Sequence, residues 1–254
     1  MQFIDDAEFQ INIDIDNGAR ISSLLWREKQ ITLPYRGQPH NSGWYALGPW
    51  AGRIRDGLIK DSAGNVYELP TNIDPPNAIH GYGFTSSWQD IGPGRALLHL
   101  PAPYNGATIE QRIEVLDDAI RWSLEYEANG CDLPAWLGLH PWFARDIGAG
   151  NELELEFTAE KMLKRDSDGL PTGEIISPTR QPWDDAFTEV RGVPAVIWDD
   201  VLRIDIESDA PWWVVYTEDD EGICVEPQSA PPDAANLGIT GDNYVEALFT
   251  FTEL

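Results

Sequence analysis

The sequence is poor in cysteine, in basic residues and in long apolar runs, and each shortage removes a class of function. Only Cys131 and Cys224 occur, too few and too far apart for a disulfide scaffold or a four-ligand zinc site, and a buried free thiol is expected at each. Lysine and arginine total 17 against 43 aspartates and glutamates, a formal net charge of −26. A phosphate backbone must be met by a basic surface, so the charge argues against nucleic acid as a partner, and anionic membranes are disfavoured for the same reason. The acids are spread along the chain rather than gathered in a tail, as suits a soluble protein with a repulsive surface. No stretch approaches the roughly 18 apolar residues of a membrane helix. The start, Met1-Gln2-Phe3-Ile4-Asp5-Asp6, carries no basic segment followed by an apolar one, so a cytoplasmic protein is expected. Linkers, low-complexity tracts and fixed-period repeats are missing as well, which points to a single domain over residues 1–254 and away from a propeller or solenoid.

What is present is alternation. Phe9, Ile11, Ile13 and Ile15 alternate with Gln10, Asn12, Asp14 and Asp16 and end in Asn17-Gly18, a strong hairpin signal. Ile113 and Val115 lead through Asp117-Asp118 to Ile120, Trp122, Leu124 and Tyr126, a second antiparallel pair. Leu153, Leu155 and Phe157 alternate with glutamates, Trp213–Tyr216 and Ile223–Val225 flank an acidic turn, and Val245, Ala247, Phe249 and Phe251 form a last strand. Helical periodicity never persists beyond two turns, and 22 glycines and 19 prolines interrupt the chain. Many short strands with one apolar face call for an all-β fold, a large antiparallel β-sandwich.

Three segments suggest proton chemistry. Glu226 closes the apolar run Ile223-Cys224-Val225 and is followed by Pro227, Pro231 and Pro232. Proline fixes φ and removes a donor, so the carboxylate is expected to be held in a set orientation at a sheet rim, as a base would be. Ile79-His80-Gly81 and Gly138-Leu139-His140-Pro141-Trp142-Phe143 each place one histidine among apolar neighbours. Imidazole titrates near neutrality and, with a carboxylate, supplies acid and base in one turnover. The plainer alternative for each histidine is a satisfied core or turn residue.

In this order the segments resemble the aldose 1-epimerase (galactose mutarotase-like) family. The motifs are Gly48-Pro49-Trp50-Ala51-Gly52-Arg53-Ile54-Arg55-Asp56-Gly57, Asn77-Ala78-Ile79-His80-Gly81, Leu139-His140-Pro141-Trp142-Phe143, Leu170-Pro171-Thr172-Gly173-Glu174 with Trp183-Asp184-Asp185-Ala186-Phe187, and Val225-Glu226-Pro227. The resemblance implies a supersandwich that binds a free sugar on the concave face of one sheet and exchanges its α and β anomers without metal or nucleotide cofactor, as a monomer or homodimer. It implies that Glu226 takes the proton of the anomeric hydroxyl and His140 protonates the ring oxygen, the two facing each other across one pyranose. His80 would hydrogen-bond near the ring oxygen, and Arg53 and Asp184 would bind substrate.

Arg53 has an alternative as a surface ion-pair partner, and Trp142 is either a stacking face for the sugar or packing. Asp184 and Asp185 are adjacent, so strand alternation lets only one face the site, and the motif favours Asp184. Many relatives carry Asn where Gly52 stands, so one substrate contact is expected to be missing. A hexose phosphate would need a further cation, for which Arg55 is the candidate, and a neutral hexose is preferred. A carbohydrate-binding sandwich without catalysis and a glycoside hydrolase using Asp184 and Glu226 are the rival readings. A cupin-like metal site is disfavoured because His40, His80, His99 and His140 are scattered.

Overall fold

The computed structural model describes residues 1–254 and is built almost wholly from antiparallel strands in two large sheets. The larger is eleven-stranded. Its middle runs Trp44–Leu47, Gly138–Ala144, Gly222–Gln228, Trp212–Tyr216, Asp184–Val190 and Ala159–Arg165, each hydrogen-bonded to the next. The eight-stranded sheet has Thr108–Val115, Ala119–Glu127, Tyr244–Glu253 and Leu202–Glu207 at its centre. The one α-helix, Ala234–Leu237, is a single turn, in keeping with the absence of helical periodicity.

The expected hairpins form with the expected partners. Phe9–Asp14 pairs with Arg20–Trp26, Val115 lies opposite Ile120, and Trp212–Tyr216 pairs with Gly222–Gln228 around the acidic turn. The alternating apolar residues of both sheets point inward and merge into one cluster of 61 buried residues. Trp44 sits at the junction: its ring lies 6.1 Å from Trp122 and 4.5 Å from Phe249 on the opposite sheet, and its indole N–H donates to the Trp142 carbonyl at 3.1 Å.

Three strands differ from the half-exposed pattern: the short Trp44–Leu47 and two longer ones that carry polar side chains. Every residue of Gly138–Ala144 and of Gly222–Gln228 is buried. One face of these strands packs on the small sheet through Leu139, Phe143, Ile223 and Val225, and the other carries His140, Trp142, Cys224, Glu226 and Gln228. Polar groups are thus carried on the inner strands of a sheet, where backbone position is defined on both sides by hydrogen-bonded neighbours. Glu226 accordingly stands in mid-strand and not at a rim, with Val214 opposite it. Cys224 is a buried thiol as expected, whereas Cys131 is only partly buried.

Truncating Trp44 removes contacts to both sheets at once. Trp44→Ala should destabilise the protein by about 3–5 kcal/mol, read as a lowered midpoint in urea unfolding.

Candidate active site

A cleft of about 190 Å³ opens over the polar face of the two buried strands, and Arg53, His80, His140, Trp142, Asp184 and Glu226 all border it. The six residues singled out in the sequence therefore meet in one place. His40 and Arg165, which no motif indicated, border the same cleft.

At its floor, His140 Nε2 lies 3.3 Å from Glu226 Oε1, with side chains 6% and 3% exposed. The two are side by side on neighbouring strands, Gly138–Ala144 and Gly222–Gln228, not opposed across a sugar-wide gap. The Tyr45 ring stacks on His140 at 4.3 Å, and His80 stands perpendicular to it at 5.1 Å. Gln228 Nε2 donates to Glu226 Oε2 at 3.0 Å, and the Gln228 carbonyl oxygen, also buried, has no protein partner.

Burial acts on the floor groups in opposite senses. Desolvation pushes Glu226 well above the usual carboxylate range; the Asp184 charge adds to this, while Gln228 and Arg53 oppose it. Desolvation pushes His140 and His80 well below the usual imidazole range, with positive neighbours adding to it. The contact between His140 and Glu226 is therefore not a fully ionised pair, because isolated charge is disfavoured on both members. One proton shared between them is the state this environment favours.

The cleft wall is ionic. Arg53 donates to Asp74 at 2.7 Å and contacts Asp184 at 3.5 Å, and these carboxylates raise its pKa against the desolvation that lowers it. Arg165 bridges the two adjacent acids, reaching Asp184 at 3.2 Å and Asp185 at 2.8 Å. Both aspartates border the cleft for this reason, where strand alternation alone predicts one. Arg53 is at once a cleft residue and an ion-pair partner, so the two readings of it were not exclusive. Arg55 does not line the cleft: Asp166 holds it at 2.6 Å, with Asp168 and Asp233 nearby. Trp142 is 4% exposed, donates its indole N–H to the His40 carbonyl at 2.8 Å and packs against His140 and Arg36.

Local backbone choices bring these groups together. Arg53–Ile54 pairs with Ala78–Ile79, and the His80 N–H donates to the Gly52 carbonyl, so the Arg53 and His80 loops form one unit. Gly81 has φ +73°, and a Cβ there would lie 2.1 Å from the Gly48 carbonyl oxygen. Gly52 has φ +69°, and its Cβ would lie 2.5 Å from Pro232. The space an asparagine side chain would need at position 52 is filled by that proline. The proline-rich run after Glu226 thus acts on the Arg53 loop: Pro232 packs on Gly52, and Asp233 hydrogen-bonds the backbone at Arg53 and Arg55. Glu226 itself is oriented by its flanking strands and Gln228.

Scattered histidines did not mean separated histidines. His40, His80 and His140 come from three distant segments to one cleft, and His99 does not line it. Arg165 had only an indirect signal, the need of two adjacent buried acids for a cation.

A carboxyl group whose folded pKa is raised stabilises the fold while protonated and loses that contribution as pH rises through the folded value. Glu226→Gln should therefore melt above the wild type at pH 8, and the gap should close as pH falls below the ordinary glutamate value of 4.5, measured by calorimetry across pH.

The aldose 1-epimerase family model matches residues 5–242. The Escherichia coli K12 protein YihR is 24% identical over 87% of this chain and 82% of its own length. Among solved structures, one from Escherichia coli K12 superposes with a TM-score of 0.82 at 18% identity, covering 100% of this chain and 99% of its own. A galactose mutarotase-like protein from Clostridium acetobutylicum gives 0.78 at 18% identity, covering 99% and 94%. These two structures share the fold of this protein. With a motif series, an architecture and a family match that agree over nearly the whole length, the chain belongs to the aldose 1-epimerase family.

Proposed function

We propose that the protein interconverts the α and β anomers of a free, neutral hexose, the whole chain acting as one unit. The observation that carries this reading is the 3.3 Å approach of His140 Nε2 to Glu226 Oε1 on the cleft floor. The anomeric hydroxyl and the ring oxygen of a pyranose are bonded to the same carbon. An acid and a base that act on them in one turnover must stand next to each other, as these two do.

Glu226 takes the proton of the anomeric hydroxyl while His140 gives a proton to the ring oxygen. The bond from the anomeric carbon to the ring oxygen breaks, and an open-chain aldehyde forms. Rotation about the bond joining the first two carbons presents the other carbonyl face. Reclosure with the proton roles reversed gives the opposite anomer and restores the pair. The raised Glu226 pKa makes it a stronger base than a surface glutamate. Turnover starts from the minor tautomer, in which the shared proton has passed from Glu226 to His140 and left the negative charge on Glu226. His80, held neutral by burial, hydrogen-bonds near the ring oxygen without competing for the proton. Arg53 and Asp184 take sugar hydroxyls, and Trp142 forms an apolar part of the wall.

The charge balance of the cleft supports a neutral substrate. Arg53 and Arg165 are each paired with carboxylates, while Asp184, Asp185, Asp219 and Glu226 border the same space. A phosphate group placed there would meet acids and no free guanidinium.

Polarimetry of freshly dissolved α-glucose and α-galactose should show faster equilibration with the wild type. Glu226→Gln and His140→Ala should each lose about 10²–10⁴-fold in kcat. Failure to accelerate any common aldose would overturn the proposal. The pH profile should be a bell whose two limbs belong to the pair: activity falls in acid when a second proton binds and in base when the shared one is lost.

A further inference from the structure

One group buried beside the cleft floor, behind the residues that line it, has no part in proton transfer. Cys224 lies two residues before Glu226 on the same strand and so on the same face, and it is a free, fully buried thiol. A ligand atom each from His140, Cys224 and Glu226 all lie within 4.8 Å of one another. Thiolate, imidazole and carboxylate together are the donor set that zinc and similar borderline-soft cations prefer.

We propose that His140, Cys224 and Glu226 form a three-ligand site for a zinc-class divalent cation, and that filling it switches off anomer exchange. Tetrahedral zinc with ordinary bond lengths sets its nitrogen, oxygen and sulfur ligands about 3.3–3.6 Å apart. The His140–Glu226 separation is already 3.3 Å, so two ligands stand at the required spacing. Bringing the sulfur in from at most 4.8 Å needs a movement of about 1 Å, within reach of a Cys χ1 adjustment. The fourth position opens towards the cleft that His140 and Glu226 line, where a water or a sugar hydroxyl completes the coordination. On binding, the thiol releases its proton and the proton shared by His140 and Glu226 leaves as well, so two protons pass to solvent for each cation bound. The cation also offsets the cost of an ionised carboxylate in this buried floor.

Occupation and turnover exclude each other, because the nitrogen and oxygen that hold the cation are those that move the proton. This consequence rests on the catalytic reading above, whereas the binding of the cation does not.

Cobalt(II) is the probe, since it takes zinc sites and reports its ligands optically. Titrating Co²⁺ into the purified full chain should give tetrahedral visible bands and a near-ultraviolet sulfur-to-cobalt band saturating at one equivalent, both bleached by Zn²⁺. Cys131→Ala leaves Cys224 as the sole thiol and should keep the sulfur band. Cys224→Ala and Cys224→Ser should abolish it, while their metal-free mutarotation stays within about twofold of wild type. Zinc should suppress wild-type mutarotation at least tenfold, a chelator should restore it, and Cys224→Ala should resist.

A sulfur band lost in Cys131→Ala, or no sulfur band in the wild type, overturns the site even if one Cys224 variant fails to fold. Cobalt bound through Cys224 with mutarotation unchanged overturns the switch. If the protein accelerates no sugar, the cobalt spectrum still tests the site. If it accelerates sugars but gives no sulfur band, the site alone is lost.

Discussion

The interaction on which the rest depends is the burial of one carboxylate against one imidazole in the middle of a sheet. Water would keep Glu226 ionised and His140 free to protonate independently. Removed from water, neither group carries charge cheaply, and the two compete for one proton. On the surface the same residues would titrate almost independently, the glutamate ionised and the imidazole near its ordinary value of about 6.5.

That burial is enforced by the scaffold. The two central strands pack on the small sheet through one face, and on the other the side chains of His140 and Glu226 are only 6% and 3% exposed at the floor of the cleft. Around the floor, Arg53 and Arg165 hold Asp74, Asp184 and Asp185 in a fixed ionic wall. The Asp184 charge raises the Glu226 pKa and the Arg53 charge opposes that, so the wall acts on this carboxyl as well as shaping the cleft. The same packing brings a ligand atom of Cys224 within 4.8 Å of those of the pair, a result of carrying a thiol two residues before Glu226 on a buried strand.

Much of the fold was legible in the chain, for a local reason. Period-two alternation follows from strand geometry, and turns such as Asn17-Gly18 mark where pairing reverses, so the hairpins at Phe9–Trp26 and Thr108–Glu127 could be read directly. The site was legible through its motifs, and all six residues they named border one cleft. The reading failed where long-range contacts decide. The proline-rich run looked like a brace for Glu226, yet it packs on Gly52 and the Arg53 loop. Asp184 and Asp185 looked mutually exclusive, but a guanidinium from another strand reaches both. His40 carried no signal and Arg165 only an indirect one, because nothing near them in sequence hints at what lies near them in space.

By itself the sequence determined an all-β protein, a strongly acidic composition, and the motif residues that border one cleft. Alternation decides which face of a strand a side chain occupies, and composition decides what that face can do. Only the tertiary structure decided which strand lies beside which. The adjacency of His140 and Glu226, the shared proton it imposes, the Arg165 bridge and the nearness of Cys224 all come from pairing between segments far apart in the chain. Such pairing is selected by the packing of the whole core and leaves no local mark.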